Sequence, residues 1–167
     1  MISRAWLIGA GVGAAIAITV HAQPKRPIAD LMPTVVTSPT RSGATVRLAL
    51  KVHLPPEIHV QSDKPKDPFL IPTAVTVTPP PAVTVDRIAY PKATDFTQAG
   101  RSEPLKVFGG EFTIDVELTL SADVPSGELV IPAVFRYQPC DASVCFAPAR
   151  ADVKWTLTVD GGGGGGS

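Results

Sequence analysis

A chain of 167 residues has room for one domain, and its 15 Lys+Arg against 15 Asp+Glu leave no formal net charge. That balance excludes a protein whose main partner is nucleic acid or an anionic membrane surface, because both demand a basic excess. With 44% hydrophobic and 18% charged residues the composition is that of a packed globule, and 18 prolines leave little room for long helices.

The N-terminus reads as a secretory signal. Arg4 supplies the positive charge, residues 5–20 form an uncharged and mostly apolar run, and Val20-His21-Ala22 offers a cleavage site after Ala22. The run is shorter than the ~20 residues a membrane span needs, so export with cleavage is expected rather than an anchor. Residues 1–22 are therefore set apart from the fold, and 23–160 form the exported domain.

Strands follow in chain order. A short candidate at 34–37 precedes the first clear alternation, at 45–54, where Val46, Leu48, Leu50, Val52 and Leu54 share one face. Weaker candidates lie at 57–61, 71–78 and 83–90. The segment 91–108 does not alternate and reads as a long loop, the kind that often carries function. Residues 112–120 place Phe112, Ile114, Val116, Leu118 and Leu120 on one side. A run at 128–138 contains Pro132, which predicts an edge strand or a bulge. The last strand, 151–159, alternates Val153, Trp155, Leu157 and Val159 with polar residues, and Trp155 is expected in the core. Period-two patterning with one solvated face defines antiparallel β-structure. Turn signals at Ser42-Gly43, Pro55-Pro56, Pro79-Pro80-Pro81, Gly109-Gly110 and Pro125-Ser126-Gly127 separate the strands. About eight strands with short connections predict an all-β, immunoglobulin-like antiparallel β-sandwich, with a barrel as the alternative. Residues 161–167, six glycines and a serine, read as a flexible tail or linker.

Chemistry concentrates in one place. Cys140 and Cys145, the only cysteines, are separated by four residues in a loop between the last two strands. Export places them where a disulfide persists. A stapling role is the ordinary one for such a pair. Yet so short a closed loop contributes only about 2 kcal/mol in the chain-entropy model, and a loop bridge is open to attack by another thiol. Spacing alone leaves both roles open. Cys140 follows Pro139 at a strand end and is expected nearer the core. Cys145 follows the small residues Ala142 and Ser143, where approach is easier. Asp141 disfavours a thiolate, while Arg136 and Arg150 favour one. His53 and His59 suggest a copper site only if one strand runs through Pro55-Pro56, which those prolines oppose. No Ser-His-Asp motif, phosphate-cradling glycine loop or carboxylate pair supports hydrolase or kinase chemistry, and no cofactor is called for.

The segment Tyr137-Gln138-Pro139-Cys140-x4-Cys145-x-x-Pro148 resembles the active-site loop of the N-terminal periplasmic domain of the thiol:disulfide interchange protein DsbD. Glu57-Ile58-His59-Val60-Gln61-Ser62 with Pro65, Phe69, Ile71 and Pro72, then Tyr90-Pro91 and Lys106-Val107-Phe108-Gly109-Gly110, are similar to the same family in the same order. The resemblance implies an immunoglobulin-like sandwich with an added catalytic subdomain. It implies a Cys140–Cys145 redox pair in which Cys145 forms the mixed disulfide with partners. It also implies an aromatic cap over the cysteines, for which Phe108 is the candidate and Val107 the alternative position. The implied partners are periplasmic thioredoxin-fold proteins. The implied electron donor is a membrane-embedded protein, on a separate chain or beyond the glycine tail. The competing reading is a non-catalytic exported immunoglobulin-like binding or adaptor domain with a structural disulfide.

Overall fold

The structure is a computed structural model that describes residues 26–160; the signal sequence expected at 1–22 and the flexible tail expected at 161–167 lie outside the described residues. Twelve strands account for the regular structure: β1 (Asp30–Val35), β2 (Thr40–Arg41), β3 (Thr45–His53), β4 (His59–Gln61), β5 (Ala74–Val77), β6 (Val83–Ala89), β7 (Thr94–Phe96), β8 (Leu105–Gly109), β9 (Glu111–Leu120), β10 (Gly127–Tyr137), β11 (Pro139–Cys140) and β12 (Ala149–Asp160). They form three four-stranded sheets, ordered β1-β3-β9-β6, β2-β12-β10-β5 and β11-β4-β8-β7. Every pairing is antiparallel except the short β2–β12 contact. The architecture is the expected immunoglobulin-like β-sandwich, with the third sheet as an added layer beside it.

The first two sheets enclose the core because their strands alternate. Val46, Leu48, Leu50 and Val52 of β3 are fully buried, as are Ile114, Leu118 and Leu120 of β9, and Ile131, Phe135, Trp155 and Leu157 join them from β10 and β12. Each such side chain contributes about 1.5–3 kcal/mol by leaving water. Trp155 also bridges the sheets, its Nε1 donating to the Ala49 carbonyl at 2.9 Å. The Tyr137 hydroxyl, buried at the far end of β10, accepts from the Ala29 N–H at 3.0 Å.

Two expectations are corrected. The segment 91–108 is not one loop, since it holds β7 and most of β8. Its strands are short and are buried differently on their two faces, so they lack the long alternation that marks β3 and β9. Pro132 lies in β10, an interior strand with β12 on one side and β5 on the other. The proline is tolerated because its carbonyl accepts from Thr78 N, which puts its missing N–H on the β5 side. The β5 ladder ends there, at Ala133↔Val77.

The third sheet positions the cysteines. β10 runs out at Tyr137, and one residue later the chain enters β11, which pairs with β4. β4 in turn pairs with β8, and the chain turns from β8 into β9 at Gly110, whose φ of +63° favours glycine. Leu54 N donates to the Gly110 carbonyl at 2.8 Å and ties this corner to the end of β3. Among the described residues no helix is long and apolar enough to cross a membrane.

Candidate functional site

Cys140 and Cys145 form a disulfide at the tip of the β10–β12 connection. The loop is built by its own backbone. Phe146 N donates to the Pro139 carbonyl and Asp141 N to the Val144 carbonyl, both at 2.9 Å. The Asp141 carboxylate then closes the turn by accepting from Ser143 N at 2.7 Å and Val144 N at 2.8 Å. Those two amides hold its pKa below the usual carboxylate range. Gln138 Nε2 donates to the Phe146 carbonyl at 3.0 Å and braces the loop from outside.

The two cysteines differ sharply in depth. Cys140 is 0% exposed, whereas Cys145 is exposed together with Ala142, Ser143 and Val144. The cause is strand pairing. Cys140 belongs to β11 and is held against His59 of β4, while Cys145 has only its isolated bridge to Cys140.

Residues opposite one another in a ladder project to the same face, and successive residues alternate. Cys140 faces His59, His59 faces Gly109, Gln61 faces Val107, and Phe96 faces Leu105. These residues share one face of the third sheet. Pro139, Val60 and Phe108 share the other, and Val60 and Phe108 belong to the main core. Leu105, Val107 and Cys140 are also buried yet stand outside that core, on the cysteine side of the sheet.

Phe108, expected as the cap, is therefore on the wrong face. It is 3% exposed and packs on Phe112 and Tyr90, with centroids 5.1 and 6.4 Å away. The aromatic ring on the cysteine side is Phe96. It is half-buried, and its centroid lies 4.1 Å from that of His59. One sequence signal was available: Phe96 is the only large apolar residue in the polar stretch 91–104. Val107, the alternative, is on the cysteine side but buried beneath it.

Two further residues were missed. The sequence reading weighs His59 as a metal ligand and, with Gln61, as part of a segment resemblance, and gives neither a role beside the cysteines. His59 is 4% exposed and its Nε2 has no hydrogen-bond partner; Gln61 is 0% exposed and neither end of its amide has one. Burial lowers the His59 pKa, partly opposed by the nearby Asp141 carboxylate. His53, by contrast, is exposed at the end of β3. Arg136 and Arg150 face each other across β10 and β12, where Arg150 is exposed. Among the described residues no group of three or more His, Cys, Asp or Glu is placed to hold a metal.

Together these features define a class: an immunoglobulin-like β-sandwich with a side sheet that buries one sulfur of a loop disulfide and exposes its partner cysteine. The sequence match is to the family described as thiol:disulfide interchange protein DsbD, N-terminal, over residues 30–156. The chain belongs to that family. Among solved structures it is similar to the N-terminal periplasmic domain of ScsB from Proteus mirabilis, at 18% identity and a TM-score of 0.53, covering 78% of this chain. The chain spans about half of that structure, 46%. It is also similar to the DsbD N-terminal domain of Neisseria meningitidis in the reduced form, at 12% identity and a TM-score of 0.48, covering 77% of this chain and 86% of that one. No curated protein matches the sequence.

Proposed function

We propose that residues 23–160 form a periplasmic thiol–disulfide exchange module, exported by the signal at 1–22. Its Cys140–Cys145 pair passes reducing equivalents to thioredoxin-fold proteins and is recharged by a membrane-embedded dithiol donor. The observation that carries this reading is the asymmetry of the bridge: Cys145 is exposed and Cys140 is not. Exchange needs access to one sulfur and a leaving group on the other. A partner thiolate attacks Cys145 Sγ, the Cys140–Cys145 bond breaks with its electron pair on Cys140 Sγ, and a Cys145–partner disulfide forms. A second partner thiolate displaces Cys145, which leaves the domain as a dithiol and the partner oxidised. The reverse sequence reduces a partner disulfide. Family membership supports thiol–disulfide exchange with thioredoxin-fold partners, and the chemistry needs no cofactor.

The reduction potential of the pair tests it. A catalytic pair is expected above about −300 mV and in exchange equilibrium with a thioredoxin-fold protein; a structural disulfide lies below that value and resists the thiol pool. A potential in the lower range, with no exchange, assigns the domain to the binding or adaptor class.

The same reading gives Phe96 the role of cap. Phe96→Ala is expected to raise the reaction rate of the reduced cysteines with a small alkylating reagent several-fold while leaving the melting temperature nearly unchanged. Phe108→Ala is expected to do the opposite, costing about 3–5 kcal/mol of stability by emptying a core site. Equal alkylation rates in wild type and Phe96→Ala would remove the cap.

A further inference from the structure

The buried sulfur poses a problem of charge. Whenever Cys140 leaves or attacks, its sulfur is a thiolate in a place with no solvent exposure. A bare thiolate is costly in such surroundings. A proton acceptor or donor must stand close by. The groups packed around it are few. From β8 the cysteine face presents Leu105, Val107 and Gly109, and from β7 Thr94 and Phe96, none of which titrates. Lys106 and Asp95 form an ion pair at 2.8 Å on the opposite face. Asp141, on the cysteine loop, is already ionised and bound to two amides.

We infer that His59 is the proton-transfer partner of Cys140. His59 is the ladder neighbour of Cys140, so their Cβ atoms are about 4.5–5.5 Å apart on one face. An imidazole and a thiol at that spacing are within mutual reach. Its Nε2 is buried without a partner, and the Gln61 amide, two residues along on the same face, is likewise unpartnered. A buried polar group left free in a folded protein calls for an explanation, and His59 is the one such residue paired directly with Cys140 in the ladder. Desolvation keeps the imidazole neutral at pH 7, which is the form that accepts a proton. Asp141 partly offsets the cost of the imidazolium once it forms.

The step runs as follows when the domain reduces a partner. Cys145 is joined to the partner sulfur and Cys140 is a thiol. The Cys140 proton passes to His59 Nε2 as Cys140 Sγ attacks Cys145 Sγ. The Cys145–partner bond breaks, its electron pair leaves on the partner sulfur as thiolate, and the intramolecular disulfide closes. Imidazolium then gives its proton to solvent or to the departing thiolate. In the reverse direction the neutral imidazole takes a proton from solvent or from the attacking thiol and passes it to Cys140 as that sulfur leaves.

This inference rests on the exchange reading, but its test needs no physiological partner. The reduced protein is mixed with an aromatic disulfide reagent whose released thiolate is coloured. Attack by Cys145 gives the first release, and closure by Cys140 gives the second. His59→Gln is expected to slow the second release at pH 7 by at least about tenfold, in keeping with loss of a general base, and to leave the first within about twofold. In the wild type the second rate falls as pH drops through the His59 pKa, and in His59→Gln that inflection disappears. Equal slowing of both phases, or no slowing of the second, overturns the assignment. Titration of the His59 imidazole by NMR gives an independent check if the variant folds poorly. The wild-type pKa is expected below 6.5 in the oxidised form and different in the reduced form; the same value in both states overturns the coupling. Failure to exchange with thioredoxin-fold proteins, with both releases normal, removes the proposed function and leaves the His59 assignment standing.

Discussion

Cys140→Ser is expected to accumulate a mixed disulfide with a thioredoxin-fold protein whose resolving cysteine has been removed, and Cys145→Ser to accumulate almost none. The reason is depth. In Cys140→Ser the remaining thiol is the exposed Cys145, and no second thiol is left to release the partner. In Cys145→Ser the remaining thiol is Cys140, 0% exposed and held in β11 by its pairing with β4. A partner active site cannot align with a sulfur in that position without opening the third sheet. Non-reducing gels followed by mass mapping read the linkage. Equal trapping by both variants removes the asymmetry, and trapping through Cys140 alone reverses it. Both outcomes are informative about the fold as well, since the second requires β11 to detach.

Trp155→Ala is expected to be the most destabilising single change in the sandwich. The ring is 1% exposed between the two large sheets, and truncating it costs about 3–5 kcal/mol through lost burial and the cavity left behind. The indole also supplies the bond to the Ala49 carbonyl, which links β12 to β3. Trp155→Phe keeps most of the packing and loses that bond, so it is expected to cost less, about 1–3 kcal/mol. In thermal melts the alanine variant should fall by at least about 10 °C. A loss below about 1 kcal/mol in Trp155→Ala would mean that the two sheets do not meet at this residue. Cys140 and Cys145 stand outside the core cluster that holds Trp155, so protein that still folds is expected to keep its two-phase thiol chemistry.

Much of the sandwich was legible because its signal is local. Strands β3, β9 and β12 alternate over nine or more residues, and burial follows that alternation almost residue for residue. The third sheet was largely illegible for the complementary reason. Its strands have two to five residues, and β4 is buried on both faces, so no period can be read from it. The segment 91–108 therefore resembled a loop. The family resemblance around Lys106–Gly110 points to Phe108 as the cap, but a shift of one residue along a strand exchanges the two faces. At this site one face is the protein core and the other carries Cys140 and His59.

By itself, the sequence determined the fold class, the position of the cysteine pair, the family and the expectation that Cys145 is the approachable cysteine. These rest on patterns contained within a dozen residues: alternation, turn residues, and a motif with fixed spacing. Only the tertiary structure decided how deep Cys140 lies, that Phe96 and not Phe108 is the ring on its side, and that His59 is its neighbour. Cys140 and His59 are 81 positions apart in the chain and meet only because β11 pairs with β4. Hydrogen-bonded pairing between distant segments sets which side chains share a face, and that pairing is a property of the assembled sheets rather than of any stretch of chain.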